Sequence, residues 1–288
     1  MKEEYVLEKD ELLEIKSDRL FHDLFNEHEM NTIEWTVMMI LGKSYEEIHN
    51  NVSVSNIRLT NMSKNDKDKF VDLLVNIDNK KILIELNNNY NGNYLRNVLY
   101  SMNVINNSYI EGDYYTNKVQ AILVNLNWHK SKRSYSKKEI VYPYPKEGEE
   151  EKDYLLKIIN INLAYYEDKC YNEFVGVDKL SKLLTVKDKK ELKRLVKDEK
   201  LLDNYYNKMD RLSKDEEYCK MIWDERIERN LRKAEDYYDG KQDGIQEGIL
   251  QRTKEMVINF YNNKVPIEVI AKGANLSISE VQNIINNK

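Results

Sequence analysis

Apolar positions along this chain recur with two periods, and the switches between them outline the fold. In DRLFHDLFNEHEMNTIEWTVMMIL, residues 18–41, the spacing is helical: Leu20, Phe21, Leu24 and Phe25 share one face, and Trp35, Met38, Met39 and Leu41 share another. VSVSNIRL, at 52–59, alternates in part and predicts a strand; a polar loop, NMSKNDKDK, follows. FVDLLVNIDNKKILIELN, at 70–87, predicts two strands around a tight turn. Helical period returns over 94–110, where Leu95, Val98, Leu99, Met102 and Ile105 share a face. KVQAILVNL, at 118–126, predicts a buried strand. The order helix, strand, hairpin, helix, strand is that of an α/β domain with helices covering a sheet, closing near residue 165.

The second part is polar and helix-forming. KLSKLLTVKDKKELKRLVKDEKLL carries Leu at intervals of three and four, which predicts a helical region over 166–238 packed on or beside the first domain. Gly240, Gly244 and Gly248 recur every fourth residue and fall on one side of a helix. Two readings stand side by side: close helix approach in a homo-oligomer, and a weakly helical linker. The last stretch, VPIEVIAKGANLSISEVQNIINNK, predicts two short helices, with Pro266 at a first helical position and Ser277 and Glu280 at capping-box spacing. With the glycine repeat it makes a segment over 239–288. The pair could be a DNA-reading helix-turn-helix. Its second helix carries a single Lys, at its very end, so packing or oligomerisation is the stronger expectation.

Two carboxylates interrupt the hairpin. Strand side chains alternate faces. Val71, Leu73, Val75 and Ile77 share one face with Ile82, Ile84 and Leu86, which leaves Asp72, Glu85 and Asn87 together on the other. A turn of two or four residues centred on Asn79 and Lys80 pairs Asp72 with Asn87 and Leu74 with Glu85, making the two acids diagonal neighbours. Two carboxylates so close repel each other and lose solvation. A shared divalent cation removes the conflict, because Mg²⁺ takes one or two carboxylates and completes its shell with water. Such an ion acidifies its water and stabilises charge on a phosphoryl oxygen, so the pair suggests metal-assisted phosphodiester hydrolysis. The plain alternative is a solvated strand face that happens to carry two acids.

Composition narrows the classes. Of 288 residues 33% are charged and 41% hydrophobic, a balance that supports a packed core rather than disorder. No apolar run approaches the roughly 20 residues that span a bilayer. The acidic opening MKEEYVLEKDELLE does not read as a secretory signal. Cys170 and Cys219 stand far apart with no CxxC partner, so neither a disulfide framework nor structural zinc is expected and the cytoplasm is the expected compartment. A net charge of −5 argues against a non-specific DNA coat but says little about an enzyme that reaches phosphates through an ion. The clearest basic cluster is His129, Lys130, Lys132, Arg133, Lys137 and Lys138, with Trp128 and Tyr135 among them. It could hold DNA phosphates, or be a solvated loop. His22, His28 and His49 lack an HExxH-like spacing and read as ordinary surface or core residues.

The order of these motifs resembles the PD-(D/E)xK nuclease superfamily, in which an Asp on one strand is followed by Glu-x-Lys on the next within an αβββαβ core. The chain is more similar to the Rpn-type branch of recombination-promoting, transposase-associated nucleases, where the pattern reads D…ExQ; here it is Asp72…Glu85-Leu86-Asn87. SDRLFHDLF resembles the branch's D-x-x-F-K-x-x-F signature at Asp18, Phe21 and Phe25, with His22 at the Lys position. RNVLY resembles its R-x-x-x-Y helix at Arg96 and Tyr100. SKLLTVKDKKELKRL, the GxxxGxxxG run and the terminal helix pair extend the resemblance over nearly the whole chain.

The resemblance implies a restriction-endonuclease-like αβββαβ core over 1–165 with a helical C-terminal region. It implies a DNA endonuclease that uses Mg²⁺ or Mn²⁺, linked to recombination or mobile elements. Asp72 and Glu85 would bind the metal and Asn87 would position water. Asp18 would be a helical acid near the site, or simply an N-cap. Glu34 rivals it for that role, or simply favours the helix dipole. Arg96 would neutralise a scissile phosphate. Asn87 departs from the family's Lys or Gln: an amide can orient water or phosphate, but it supplies no positive charge and is no base. The rival expectation is a catalytically inactive protein of the same fold that binds DNA or a protein partner.

Overall fold

The computed structural model describes residues 6–55, 58–59, 69–70, 72–87, 93–108, 119–128, 138–142, 154–167, 169 and 174–286. The first helical stretch forms two helices, α1 (Asp18–Leu24) and α2 (Met30–Leu41). Ser17 caps α1 by accepting from the Leu20 N–H. Asn26 donates its amide to the carbonyls of His22 and Asp23 (2.8 and 3.1 Å), which satisfies orphan groups at the helix end and stops the helix there. Leu20, Phe21, Leu24 and Phe25 are buried as their spacing predicts. In α2 the buried apolar residues are Ile33, Trp35, Val37 and Ile40, while Met38, Met39 and Leu41 are half-buried. A short α3 (Tyr45–Ile48) follows.

The strands are β1 (Val52–Val54), β2 (Arg58–Leu59), β3 (Lys69–Phe70), β4 (Leu73–Ile77), β5 (Lys80–Asn87), β6 (Gln120–Asn127), β7 (Lys138–Val141) and β8 (Leu156–Asn162). Strands β2 and β3 pair with each other. The other six form a mixed sheet in the order β1-β4-β5-β6-β8-β7. β1, β4 and β5 are antiparallel, β5, β6 and β8 run parallel, and β7 is antiparallel at the edge. α4 (Asn93–Asn106) connects the parallel pair β5 and β6. Two strands, β7 and β8, lie outside the order expected from the sequence; Asn160 and Asn162 dilute the apolar signal of KIININ, because Asn is a poor strand former in isolation.

The hairpin register differs from expectation by two residues. Leu74 pairs with Leu83, not Glu85, and Ile77 pairs with Lys80, so the turn is Asp78-Asn79. Asp78 takes a φ of 50°, a left-handed backbone that a short polar side chain tolerates. Continued by one step, this ladder sets Asp72 opposite Glu85 rather than Asn87. An even shift leaves every side chain on its face, so the expected partition survives. Leu73, Val75, Ile77, Ile82, Ile84 and Leu86 enter the larger core. Leu74 and Leu83 face the other way, into a smaller core with Leu123, Ile158 and the α4 residues Val104 and Ile105. Toward the carboxyl ends of β5, β6 and β8 this second face turns polar.

The orientation of α4 corrects a second expectation. Leu95 and Leu99 were expected to share a buried face with Ile105, yet they are 71% and 68% exposed. The residues turned inward are Asn97, Ser101, Val104 and Ile105.

The helices α5 (Val177–Thr185), α6 (Lys189–Val196) and α7 (Asp203–Lys214) place Leu180, Leu183, Leu192, Leu195, Tyr205 and Met209 in the same core as the sheet. The boundaries expected at 165 and 238 therefore give way to a single division, between Asp224 and Glu225, within the long helix α8 (Glu216–Asn262). The second unit closes with α9 (Ile267–Ala274) and α10 (Ile278–Asn286) around Val257, Ile270, Ala271 and Val281. Pro266 stands at the cap of α9, one position before the expected one. Ser277 and Glu280 exchange the two bonds of a capping box (2.8 and 3.2 Å). A Cβ added at Gly240, Gly244 or Gly248 would meet nothing within 4 Å, so no close approach within the chain calls for these glycines. Among the described residues no helix is long and apolar enough to cross a membrane.

The α4 orientation yields a direct test. Ile105→Ala should cost about 2–5 kcal/mol in urea unfolding, the range for truncating a buried Ile. Leu99→Ala should stay within about 0.5 kcal/mol, as for an exposed position.

A candidate metal centre at the carboxyl end of the sheet

Strand β5 lies inside the sheet between β4 and β6, and its carboxyl end carries Glu85 and Asn87, each 3% exposed. Asp72 stands just before β4 and is half-buried. The two acids are laced across the strands. Asp72 Oδ2 accepts from the Leu86 N–H (2.7 Å), and the Asp72 backbone N–H donates to the Glu85 carboxyl. Glu85 Oε1 is buried and has no hydrogen-bond partner among the described residues.

Burial pushes the Glu85 carboxyl up to about 8, helped by the Asp72 charge; Arg96 and the Asp72 N–H pull the other way, and Asp18 adds to the rise. The Asp72 carboxyl is raised too, first by burial. The Leu86 N–H opposes that rise, Asp18 reinforces it, and His22 and Arg96 oppose it. The structure thus gathers Asp72, Glu85, Asp18, His22 and Arg96 within electrostatic reach of one another. Asp18 is the first residue of α1 rather than its cap, a role Ser17 takes. Glu34 has neither of its expected places: it is 5% exposed within α2, where both its carboxylate oxygens lie 3.1–3.2 Å from His49 Nδ1. His49 is thereby the partner of a buried acid.

Asn87 enters a network of amides. Asn97, fully buried on α4, donates to Asn125 Oδ1 (2.8 Å) and Asn87 Oδ1 (3.3 Å). Asn87 donates to Asn127 Oδ1 (3.2 Å), with Asn125 Oδ1 at 3.5 Å. Asn125 donates to Asn160 Oδ1 (2.9 Å), and Asn160 to Glu139 Oε2 (3.3 Å). Arg96 Nε reaches Asn97 Oδ1 at 3.4 Å, and its guanidinium lies 5.8 Å from the Tyr100 ring. Sequence reasoning missed Asn97, Asn125, Asn127 and Asn160. The signal was present: Asn125 and Asn127, then Asn160 and Asn162, sit at strand period in VNLN and NIN, at matching positions of parallel neighbours.

A buried carboxyl with an orphan oxygen, beside a second carboxyl of raised pKa, is a donor set for a hard cation. Mg²⁺ or Mn²⁺ fits it, since such ions bind through one or two carboxylates and keep several waters. Among the described residues no three His, Cys, Asp or Glu side chains group where they could hold a metal ion. Of the expected DNA-contacting cations, Lys130, Lys132, Arg133 and Lys137 lie outside the described residues, as do His129 and Tyr135. Lys138 pairs with Asp178 at 3.5 Å. Trp128 donates its indole N–H to the Ile15 carbonyl (2.7 Å).

The raised Glu85 value predicts a pH dependence. Its carboxyl ionises near 4.5 when unfolded and near 8 when folded, so the folded chain binds the proton more tightly. The stability this contributes is complete below pH 4.5 and is lost as pH rises through about 8. In EDTA, thermal unfolding should move to lower temperature across that window. Glu85→Gln, which cannot ionise, should flatten the slope.

Comparison with protein families, with curated proteins and with solved structures finds no match to this chain, so the chemistry of the site carries its functional reading alone.

Proposed function

We propose that this chain is a metal-dependent DNA endonuclease of the PD-(D/E)xK kind, from the Rpn-type, transposase-associated branch, with Asp72 and Glu85 as ligands of Mg²⁺ or Mn²⁺. The observation that carries the reading is Glu85: a carboxyl 3% exposed, with an orphan oxygen, set opposite a second acid. The element order supports it. With the separate β2–β3 pair and two of the three leading helices set aside, a helix, the antiparallel strands β1, β4 and β5, the crossover α4 and the parallel strand β6 follow one another in an order compatible with αβββαβ. Glu85 falls near the carboxyl end of β5, with Asp72 beside it just before β4, and the carboxyl ends of strands are where open α/β sheets bind ligands.

When bound, such an ion would supply an acidified water and a charge to balance the phosphoryl oxygens. Asp72 and Glu85 would hold the ion between them, and the proton that burial favours on Glu85 would have to leave for it to bind. Arg96, exposed and close enough to lower the pKa of both acids, meets the incoming phosphate. Asn87 takes no proton; its amide ties β5 to α4 and β6.

That last point favours the second reading, a catalytically silent protein that binds DNA. Where the family pattern has Lys or Gln, this chain has an amide engaged with other amides.

Plasmid nicking with Mg²⁺, Mn²⁺ or EDTA separates the two. The expected outcome is cleavage with either ion and none with EDTA. Asp72→Asn or Glu85→Gln should lower the rate by about 100-fold or more, the scale of removing charge stabilisation from a transition state. DNA binding without cleavage supports the silent reading. Undiminished cleavage by both variants overturns the site.

A further inference from the structure

Glu85 and Asn125 are direct neighbours in the parallel register of β5 and β6. An amide beside a buried carboxylate ordinarily donates to it, because an unbonded carboxylate oxygen away from water is costly. Here it does not: the Asn125 NH₂ turns to Asn160, to which one of its N–H groups donates, and Glu85 Oε1 has no donor among the described residues. The cause lies one residue away. Arg96 has only donors, so its contact at 3.4 Å holds the carbonyl end of Asn97 toward itself and the NH₂ end inward. That NH₂ serves the carbonyls of Asn125 and Asn87 (2.8 and 3.3 Å). With its oxygen fixed toward Asn97, the Asn125 NH₂ points away along the sheet, and the chain of amides runs in one direction to Glu139.

We propose that Asn97 is a positioning residue for the carboxylate pair: by donating to Asn87 and Asn125 together it sets the direction of the amide chain and withholds a donor from Glu85 Oε1. The oxygen is thereby reserved for a cation. The inference rests on the reading of Asp72 and Glu85 as a divalent-cation site. It assigns that site a further side chain, Asn97 on α4, whose work is done through Asn125. Groups outside the ligand shell that orient it are worth a tenfold to hundredfold in metal affinity.

Mn²⁺ titration calorimetry on the full chain tests this with three proteins, each checked by thermal unfolding. Asn97→Leu removes the clamp and excludes water, freeing Asn125 to turn its NH₂ to Glu85; Mn²⁺ affinity should fall by about tenfold. Asn97→Leu with Asn125→Leu removes the competing donor as well, so affinity should recover toward wild type even though the double variant is less stable. A purely structural role for Asn97 predicts the reverse, a double variant that binds no better than the single one, and that result overturns the proposal. Should Asn97→Leu prevent folding, Asn97→Ser takes its place with less change of volume; a fall in the same direction is expected, and unchanged affinity overturns the proposal. Wild-type protein that binds no Mn²⁺ overturns the cation site itself, whereas binding that is indifferent to Asn97 overturns only this inference.

Discussion

One carboxyl oxygen, Glu85 Oε1, is buried at the polar end of a sheet face with no donor to it among the described residues. A charge in such a place is tolerated only if it is neutralised, by a proton or by a cation. Burial favours the first, pushing the Glu85 carboxyl up to about 8. The second would be a divalent cation shared with Asp72, as we propose. Much of the surrounding architecture answers to that oxygen. The hairpin brings the two acids together, β6 and β8 extend the polar patch, and α4 closes over it.

The helix α4 illustrates the adjustment. Its inward face changes character along the axis rather than around it: Asn97 and Ser101 lie over the polar end of the sheet, and Val104 and Ile105 over the apolar end. The sheet face is graded in the same sense, from Leu83 and Leu123 to Glu85 and Asn125. Matching the two gradients turns Leu95 and Leu99 outward. A hydrophobic stripe is ordinarily the face a helix buries; here Asn97 finds the amides of Asn87 and Asn125 underneath.

That explains what was legible in the sequence and what was not. Period two placed Asp72, Glu85 and Asn87 on one face; Glu85 and Asn87 remain on it although the register moved by two, because parity is indifferent to an even slip, while Asp72 stands just before β4 and accepts from the Leu86 N–H. The helical spacing around Phe21 and Phe25 named the buried residues of α1. The spacing around Leu95 and Leu99 misnamed those of α4, since periodicity weighs apolarity alone and is blind to a buried amide network. Strand β8 escaped notice for the same reason: Asn160 and Asn162 look like loop residues until Asn125 and Asn127 stand beside them. The boundary expected at residue 165 failed because a change from strands to helices is a change of element type, while Leu180, Leu183 and Leu192 pack into the core the sheet had already begun. The interaction of Glu34 with His49 joins α2 to the residue that ends α3, and no local pattern marks it.

The most direct test of the account is a crystal structure of the wild-type protein grown with Mn²⁺, read by anomalous scattering. The account predicts a peak bonded to one oxygen of Asp72 and to Glu85 Oε1, with water completing the shell. A map in which Glu85 Oε1 accepts from a protein amide, while Mn²⁺ sits elsewhere or nowhere, would contradict it.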